Sequence, residues 1–454
     1  MYSNRGISPW FDIILRMITF KLPKLKLPQN FEKIHSTLKK QGILGNYAPR
    51  FNFPDEPQFY QFLCERKVNQ PHTKEGFGYG CSEVKEEAAV TAIAEAIEHY
   101  CVLFEQEKLF IKENFRNLGK SAIDPLRFKV FSNSQLKQKF FSKFKFDDDT
   151  VFNWIEGYSL TRKQKVLVPA QLVYANYQTQ KRNEPTIRIP ISTGAACGPN
   201  REFALYRGLC ETIERDAYMI SYLNKLKANV IDVSNHEYLS NFKRRITRYN
   251  LIPYFIETTL DFPLTSITCI IIDQTGIGPA VCTGLGASLN PQKSITSAAL
   301  EAVRRHIAAR DRFFRTKPPQ LPASSTTDGF LLRKQRLWAA PHMIKTIKPF
   351  ITGPKKHIVD LKNQESANDQ KNVDLIINSL TDKGYEAIAI DITVPQVRNL
   401  DLNVIKVLVP ELLPLYHDER FPYKENWRLY NTPRLRGLKS DIQKEEDIDS
   451  QHPF

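Results

Sequence analysis

Two pairs of glutamates, each with three-residue spacing inside a predicted helix, are the clearest sign of chemistry in the sequence. Glu95 and Glu98 form the first pair, and Glu211 and Glu214 form the second. Residues at i and i+3 share a helix face, and the neighbouring positions are apolar, so we expect the carboxylates to point partly inward. Buried carboxylates are costly unless they are paired or bound to a cation. If the pairs converge, they form an oxygen-rich site suited to Mg²⁺.

A third helix repeats part of this pattern. Glu301 follows a Gly-rich segment at the same distance at which Glu95 follows its own. We expect these segments to be turns whose backbone N–H groups face an anion, with Arg215 and Arg305 meeting phosphate oxygens. The pattern indicates a nucleotide-triphosphate site, and the sequence has no Walker loop. The alternative is that each glutamate pair lies on a solvated helix face, since helical spacing does not establish convergence.

The elements that must position these residues alternate between helices and strands. One helix is predicted over 84–104, a second over about 200–226, and a third from Asn290 and Pro291, which suit a cap and a first helical position. Predicted strands lie at 152–160, 165–174, 187–191, 251–258, 266–273, 386–393 and 404–409. This order indicates an α/β fold, more specifically mixed α+β, with mixed sheets flanked by helices.

The composition is that of a folded protein with a basic surface. The chain has 454 residues, of which 42% are hydrophobic and 11% aromatic, so global disorder is excluded. A formal net charge of +15 would suit nucleic acid, an anionic membrane surface or an acidic peptide as a partner. Apart from this charge, no motif supports nucleic-acid binding, and no uncharged run is long enough to span a bilayer. We therefore expect neither a nucleic acid nor a membrane as partner.

The cysteines indicate a reducing compartment. Seven cysteines are spread along the chain without C-x-x-C spacing, which argues against a disulfide framework or a zinc site. The apolar stretch 10–22 is interrupted by charged residues and lacks a cleavage site, so it is not a signal peptide. Reduced thiols in a cytoplasmic protein are the expectation.

Four stretches of the sequence resemble the YcaO family, and the resemblance covers the chain from about residue 40 onward. They are GCSEVKEEAAVTAIAEAIEHY, STGAACGPNREFALYRGLCETIERDAY, GLGASLNPQKSITSAALEAVRRH and GYEAIAIDITVPQVRNLDLNVIKVLVPELLPLY. The last stretch, together with the HPF ending, is similar to the peptide-modifying branch that forms thiazoles and oxazoles. The resemblance implies a YcaO-type fold and an enzyme that depends on ATP and Mg²⁺.

The chemistry implied by the resemblance takes place on backbone amides of a ribosomally made precursor peptide. A Cys, Ser or Thr side chain of the peptide attacks the preceding carbonyl, the oxyanion is phosphorylated by ATP, and phosphate leaves to give a thiazoline or oxazoline. Phosphorylation is physically reasonable because an amide oxygen is a poor leaving group, and Mg²⁺ offsets charge on the transferred phosphoryl group. A bacteriocin-like or another peptide natural product is the implied end product.

The resemblance also implies roles for individual residues. The family's metal- and phosphate-binding glutamates correspond to Glu95, Glu98, Glu211 and Glu214. Its nucleotide-contacting residues correspond to Ser192, Arg215 and Glu301.

Three positions depart from the family pattern. His99 stands where the family usually has Arg, and Phe203 stands where an acidic residue is usual, with Glu202 one place earlier. His306 occupies the place of an Arg, with Arg305 one place short. Glu202 and Arg305 are the candidates to take over these cofactor contacts, so both are kept among the predicted cofactor-binding residues.

Four segments are predicted along the chain. Residues 1–50 form a basic N-terminal segment with nine Lys and Arg against two acids. Residues 51–350 form the ATP-binding core, and residues 351–439 form a C-terminal α/β part of the same domain. Residues 440–454 form a flexible acidic tail that would let Pro453 and Phe454 reach the catalytic site, in place of the Pro-rich ending that the resembled enzymes tend to have; a frayed terminus is the alternative.

The resemblance further implies partner proteins. An E1-like, leader-binding protein would recruit the precursor peptide, a flavin dehydrogenase would act on its product, and a homodimer stays open. The basic segment 1–50 would dock the leader-binding partner or an acidic leader. Two alternatives remain at this stage: a YcaO enzyme that makes a thioamide or an amidine, and a non-catalytic scaffold of a peptide-modifying complex.

Overall fold

The computed structural model describes residues 27–67, 76–315, 334–449 and 451–454. Most of the predicted basic segment, residues 1–26, therefore lies outside the described residues. The strands are β1 Leu44–Arg50, β2 Tyr60–Arg66, β3 Gly76–Ser82, β4 Ile111–Asn114, β5 Val151–Ser159, β6 Gln164–Pro169, β7 Ala195–Gly198, β8 Val230–Asp232, β9 Leu251–Glu257, β10 Thr265–Asp273, β11 Val281–Ser288, β12 Lys355–His357, β13 Ile388–Asp391 and β14 Asn403–Leu408. The α-helices are α1 Gln29–Lys40, α2 Lys85–Leu103, α3 Phe115–Leu118, α4 Asn133–Lys137, α5 Arg201–Leu223, α6 Glu237–Thr247, α7 Pro291–Arg315, α8 Met343–Ile351, α9 Asp369–Asp382, α10 Pro395–Arg398 and α11 Trp427–Leu435.

The strands form three sheets, and the mixed α+β fold class is confirmed. The first sheet has the antiparallel order β1-β2-β3. The second has the order β11-β10-β9-β8-β12, in which only β12 and β8 pair in parallel among the described strands. The third has the order β4-β5-β13-β14-β7, with β6 paired antiparallel to β5. The segments 51–350 and 351–439 thus share two sheets, because β12 joins the second sheet and β13 and β14 join the third.

Each predicted glutamate helix packs on a sheet. Helix α2 packs on the first sheet, α7 on β10 and β11, and α5 on β7 and β14. The inner faces of α2 and α7 are built from alanine and isoleucine, so these helices approach their strands closely.

The Gly-rich segments before two of these helices are strands, which corrects the predicted turns. An added Cβ at Gly78 would lie 2.3 Å from the carbonyl oxygen of Ala92, and one at Gly284 would lie 2.2 Å from that of Ala298. Glycine is therefore required where the helix backbone touches the strand, rather than for a turn. The predicted strand at 187–191 is likewise absent, and the residues there form an irregular loop.

A buried ionic contact fixes α5 to the C-terminal part. Arg428 on α11 is fully buried and donates to Asp216 on α5 at 2.8 Å and to Asp261, just before β10, at 2.7 Å. Such a network is strongly destabilising to break, because removing one partner leaves an unpaired buried charge. The contact holds the second glutamate helix in place relative to α11.

Candidate functional site

A cavity of about 600 Å³ opens where α2, α5 and α7 meet, a volume in the usual range for a small-molecule site. Its predicted residues are Glu95, Glu98, Glu211, Glu214, Arg215 and Glu301. The two glutamate pairs and the third-helix glutamate therefore converge on one space, and they do not lie on separate solvated faces. Arg207 and Arg304 line the same cavity.

The first glutamate of each helix accepts a backbone N–H from the strand or loop before that helix. Tyr79 donates to Glu95 at 2.6 Å, Gly194 to Glu211 at 3.1 Å, and Leu285 to Glu301 at 2.7 Å. These backbone donors hold the carboxylates, instead of binding an anion directly as predicted for the Gly-rich segments. The three helices thus present their first glutamate in the same way, and each carboxylate is oriented before any ligand binds.

The second glutamate of each pair, Glu98 or Glu214, lies in an environment that disfavours its charged form. Burial, followed by repulsion from Glu211 and Glu95, raises the pKa of Glu98 well above its ordinary value. Burial raises the pKa of Glu214 to about 8, with Glu301 and Glu211 adding to the rise and Arg215 opposing it. The excess of carboxylates is unfavourable in the nucleotide-free protein, and a bound cation would relieve it.

Arginines supply positive charge beside these acids. Arg215 donates to Glu214 at 2.7 Å and to Glu211 at 3.2 Å. Arg304 lies 3.8 Å from Glu301, with its guanidinium 5.3 Å from the ring centre of Tyr79. A metal ion bound by the carboxylates could in turn bind an anion. Because the guanidinium groups border the carboxylates, they are placed to contact the same anion.

Three predicted cofactor-binding residues do not line the cavity. Ser192 lies in the loop before β7, and Glu202 lies half-buried in the first turn of α5; the neighbour of Glu202, Phe203, lines the cavity instead. Arg305 is not part of the lining either; its guanidinium stacks on the ring of Phe454 at 4.0 Å and lies 4.0 Å from Glu301. Of the predicted cofactor-binding residues, the structure thus brings Arg215 and Glu301 to the cavity lining.

The two histidines that depart from the family pattern contact acidic residues. His306 is buried and hydrogen-bonds Asp273 of β10 at 2.8 Å, so it faces the second sheet and not the cavity. His99 lies 3.9 Å from Glu95, which lines the cavity.

Sequence reasoning missed Arg207 and Arg304. Arg207 precedes Glu211 by one helical turn, and Arg304 follows Glu301 by three residues, so both share the face of a predicted glutamate. When α2 and α7 are aligned at Glu95 and Glu301, Arg304 occupies the position of Glu98. The i and i+3 rule that paired the glutamates would have found Arg304, had it been applied to basic residues.

The end of the chain is packed beside this site. The side chains of residues 452–454 are buried, and Phe454 is only 6% exposed. The ring centre of Phe454 lies 4.5 Å from the guanidinium of Arg215 and 4.0 Å from that of Arg305. The tail is therefore docked at its end, where the ring of Phe454 contacts Arg215 of the cavity lining.

The donor set fits Mg²⁺ together with a nucleotide. Within the described ranges, no three His, Cys, Asp or Glu side chains already form a closed metal cluster. Mg²⁺ commonly takes only one or two carboxylates and completes its shell with phosphate oxygens and water. Carboxylates distributed around a cavity that also holds arginines suit that mode of binding, with the glutamates as metal ligands and the arginines on phosphate.

The described residues also bear on redox state and membrane insertion. All seven cysteines are free thiols in the structure. No described helix is both long and apolar enough to cross a bilayer.

Comparison with protein families gives one match over most of the chain. The model described as YcaO cyclodehydratase, ATP- and Mg²⁺-binding, matches residues 79–413. An uncharacterised protein of Methanothermobacter thermautotrophicus is 22% identical over 57% of this chain and 65% of its own length. An uncharacterised protein in the tfuA 3′ region of Rhizobium leguminosarum bv. trifolii is 24% identical over 57% of this chain and 60% of its own length. The match thus spans less than two thirds of these relatives.

Solved structures share the fold. A heterocyclase in complex with substrate and cofactor superposes with a TM-score of 0.75 at 20% identity, covering 93% of this chain and 57% of that one. YcaO from Methanopyrus kandleri bound with AMPPCP and Mg²⁺ superposes with a TM-score of 0.62 at 16% identity, covering 87% and 94%. The E. coli microcin synthetase McbBCD complex gives a TM-score of 0.58 at 12% identity, covering 81% and 88%.

Proposed function

The chain belongs to the YcaO family, whose model is described as binding ATP and Mg²⁺, and we propose that it is an ATP-dependent cyclodehydratase subunit acting on a ribosomally made peptide. It forms thiazoline or oxazoline rings from Cys, Ser or Thr. The observation that carries this proposal is the convergence of five carboxylates and three arginines on one cavity. Carboxylates for a metal and arginines for phosphates are what phosphoryl transfer requires of a protein, since its catalysis is mainly positioning and charge stabilisation.

The residues of the cavity divide into two roles. Glu95, Glu98, Glu211 and Glu214 are the carboxylates that would supply ligands to Mg²⁺, and the neighbouring arginines would hold phosphate oxygens. Mg²⁺, when bound, offsets charge on the transferred phosphoryl group.

The reaction has three steps. A peptide hydroxyl or thiol releases its proton to solvent as it adds to the preceding carbonyl carbon, and the new oxyanion then takes the terminal phosphoryl group of ATP, whose bond to ADP breaks. The amide nitrogen then loses its proton as inorganic phosphate departs with the former amide oxygen, giving the C=N bond of the ring. Pro453 and Phe454 are proposed to border this reaction, because Phe454 contacts Arg215.

Partners and location are part of the same proposal. The precursor peptide is delivered by an E1-like leader-binding protein, a flavin dehydrogenase oxidises azolines to azoles, and the enzyme works in the cytoplasm. Several related structures are of complexes: the heterocyclase was solved with its substrate, and the microcin synthetase as a multiprotein assembly, once with pro-MccB17 bound.

The test determines where the oxygen atom of the modified peptide carbonyl goes during the reaction. The protein, its partner and a precursor peptide carrying a heavy-oxygen label in the carbonyl before Cys are incubated with ATP and Mg²⁺. Label appearing in inorganic phosphate, with loss of one water per ring from the peptide, supports cyclodehydration. Exchange of the oxygen for sulfur or an amine nitrogen would establish thioamide or amidine formation, and ATP that is neither bound nor consumed would favour the scaffold.

A matched pair of variants separates site from fold. Glu211→Gln removes a carboxylate from the cavity, whereas Glu202→Gln changes a glutamate of the same helix that does not line it. We expect the first variant to lose turnover by at least about a hundredfold, on the scale of losing a group that stabilises developing charge, and the second to keep it. Equal loss in both would contradict the assignment.

A further inference from the structure

His452 is held from three directions although it lies near the end of the chain. Its side chain is completely buried. The ring Nε2 donates to the carbonyl of Tyr416 at 2.9 Å, and Nδ1 lies 3.1 Å from the ammonium of Lys334. Its backbone N–H donates to Glu419 at 3.3 Å. Burial, reinforced by Lys334, lowers the pKa of His452, so the ring is neutral.

The groups around His452 also bind one another. Lys334 lies 3.6 Å from Glu419, so the ammonium and the carboxylate that contact His452 form an ion pair. The ring of Tyr416 meets the His452 ring edge-on at 5.1 Å. Every polar atom of the imidazole therefore has a partner, which is the condition for burying it at little cost.

Two residues further on, Phe454 covers the faces of two arginines. Its ring centre lies 4.5 Å from the guanidinium of Arg215 and 4.0 Å from that of Arg305. Pro453 joins the two residues, and its fixed φ makes the link between them stiff. Because His452 is fixed by its contacts, the ring of Phe454 can move little from its position against the two guanidinium groups.

We propose that His452, Lys334, Tyr416 and Glu419 form a clip that fixes Phe454, and that Phe454 acts as a positioning residue for Arg215. The proposal rests on the proposed function, since it assigns Arg215 to nucleotide phosphate. It assigns to His452 and Phe454 a role in nucleotide affinity that is exerted through Arg215.

The orientation of Arg215 depends on this stacking. Two of its nitrogens donate to Glu214 and Glu211, while its Nε is buried without a hydrogen-bond partner among the described residues. The ring of Phe454 bounds the guanidinium plane and so selects one orientation. Without the ring, ordering of Arg215 would have to accompany nucleotide binding, and immobilising one long side chain corresponds to about threefold to tenfold in affinity.

The test measures binding of AMPPCP with Mg²⁺ by calorimetry. Phe454→Leu keeps an apolar side chain but removes the π face, and we expect it to weaken binding about threefold to tenfold. Phe454→Tyr keeps the face and should restore wild-type affinity. His452→Ala should weaken binding to a similar extent, and Gln451→Ala, at an exposed neighbouring position, should not.

A double variant tests whether His452 acts through Phe454. In that case His452→Ala with Phe454→Leu weakens binding no more than either change alone, because the two residues belong to one unit. Effects that multiply, or wild-type affinity in both single variants, would overturn the proposal.

Hydrogen–deuterium exchange of residues 441–449 and 451–454 provides a readout that needs no nucleotide. We expect protection in the wild type and in Gln451→Ala, and fast exchange in His452→Ala. If the wild type binds no AMPPCP but this contrast is seen, the clip stands, while the proposed function and the assignment of Arg215 fall. If His452→Ala keeps its protection, the clip itself is wrong.

Discussion

Glu214 is predicted to destabilise the protein that contains no nucleotide, and its replacement tests the electrostatics of the site. Its side chain is buried, with the residue 8% exposed, and its pKa is raised from 4.5 to about 8. The folded protein therefore retains a proton that the unfolded chain releases above about pH 4.5. The contribution of Glu214 to the free energy of unfolding is therefore fully favourable below about pH 4.5. It declines as the pH rises and levels off above about pH 8.

The size of this loss of stability follows from the difference between the pKa values of Glu214 in the unfolded and the folded protein. One pKa unit corresponds to about 1.4 kcal/mol, so the loss reaches roughly 3 kcal/mol at pH 7 and roughly 5 kcal/mol above pH 8. In Glu214→Gln this penalty disappears, and the attraction of Arg215 at 2.7 Å is already included in the raised pKa. Because the buried amide of glutamine needs hydrogen-bond partners of its own, part of the gain is offset, and we expect a net stabilisation of about 1–2 kcal/mol at pH 8, and less at pH 6.

Thermal unfolding of wild type and Glu214→Gln at pH 6 and pH 8.5, without nucleotide, measures this effect. The variant should melt at a higher temperature, and the difference should grow with pH. The same variant should lose Mg²⁺-dependent binding of ATP in calorimetry. A difference in melting temperature that is identical at both pH values, or a variant that binds ATP normally, would refute the reasoning, and Glu202→Gln serves as the control because it does not line the cavity.

Three further predictions follow from the site and the fold. Affinity for Mg²⁺ with AMPPCP should rise between pH 7 and pH 9 and release protons, because binding requires the raised carboxylates in their ionised form; calorimetry in two buffers of different ionisation enthalpy would detect this. Arg304→Gln should weaken AMPPCP binding about tenfold or more, whereas Lys293→Gln, at the exposed start of the same helix, should not. Gly284→Ala should destabilise the protein by at least about 2 kcal/mol, as judged by denaturant unfolding, since its Cβ would meet the backbone of α7 at 2.2 Å.

The sequence alone was sufficient to identify the carboxylates that the helices bring to the cavity. The three-residue spacing of the glutamates and their repetition on three helices identified five carboxylates that all line the cavity. Local spacing fixes which residues share a helix face, so this part of the site is determined within each helix. The alternation of helices and strands likewise indicated the mixed fold.

Errors arose where a residue's role depends on another element. Gly78 and Gly284 were interpreted as parts of turns, because glycine usually marks turns in a sequence; in the structure both lie in strands, where a helix backbone touches them. The sequence indicated Arg305 as a phosphate contact and did not indicate Arg304; adjacent residues on a helix differ in direction by about 100°, and only the packing of α7 shows that Arg304 lines the cavity.

The end of the chain shows the same division. From the sequence, a polar stretch followed by His452, Pro453 and Phe454 reads as a mobile tail. The tertiary structure places the ring of His452 against Tyr416 and Lys334, and that of Phe454 against Arg215 and Arg305, all far away in the sequence. Spacing along one helix encodes which groups act together locally, whereas burial and contacts between distant segments arise only when the sheets and helices pack. The carboxylates of this site were therefore determined by the sequence, and the choice of its cations and the docking of its tail by the tertiary structure.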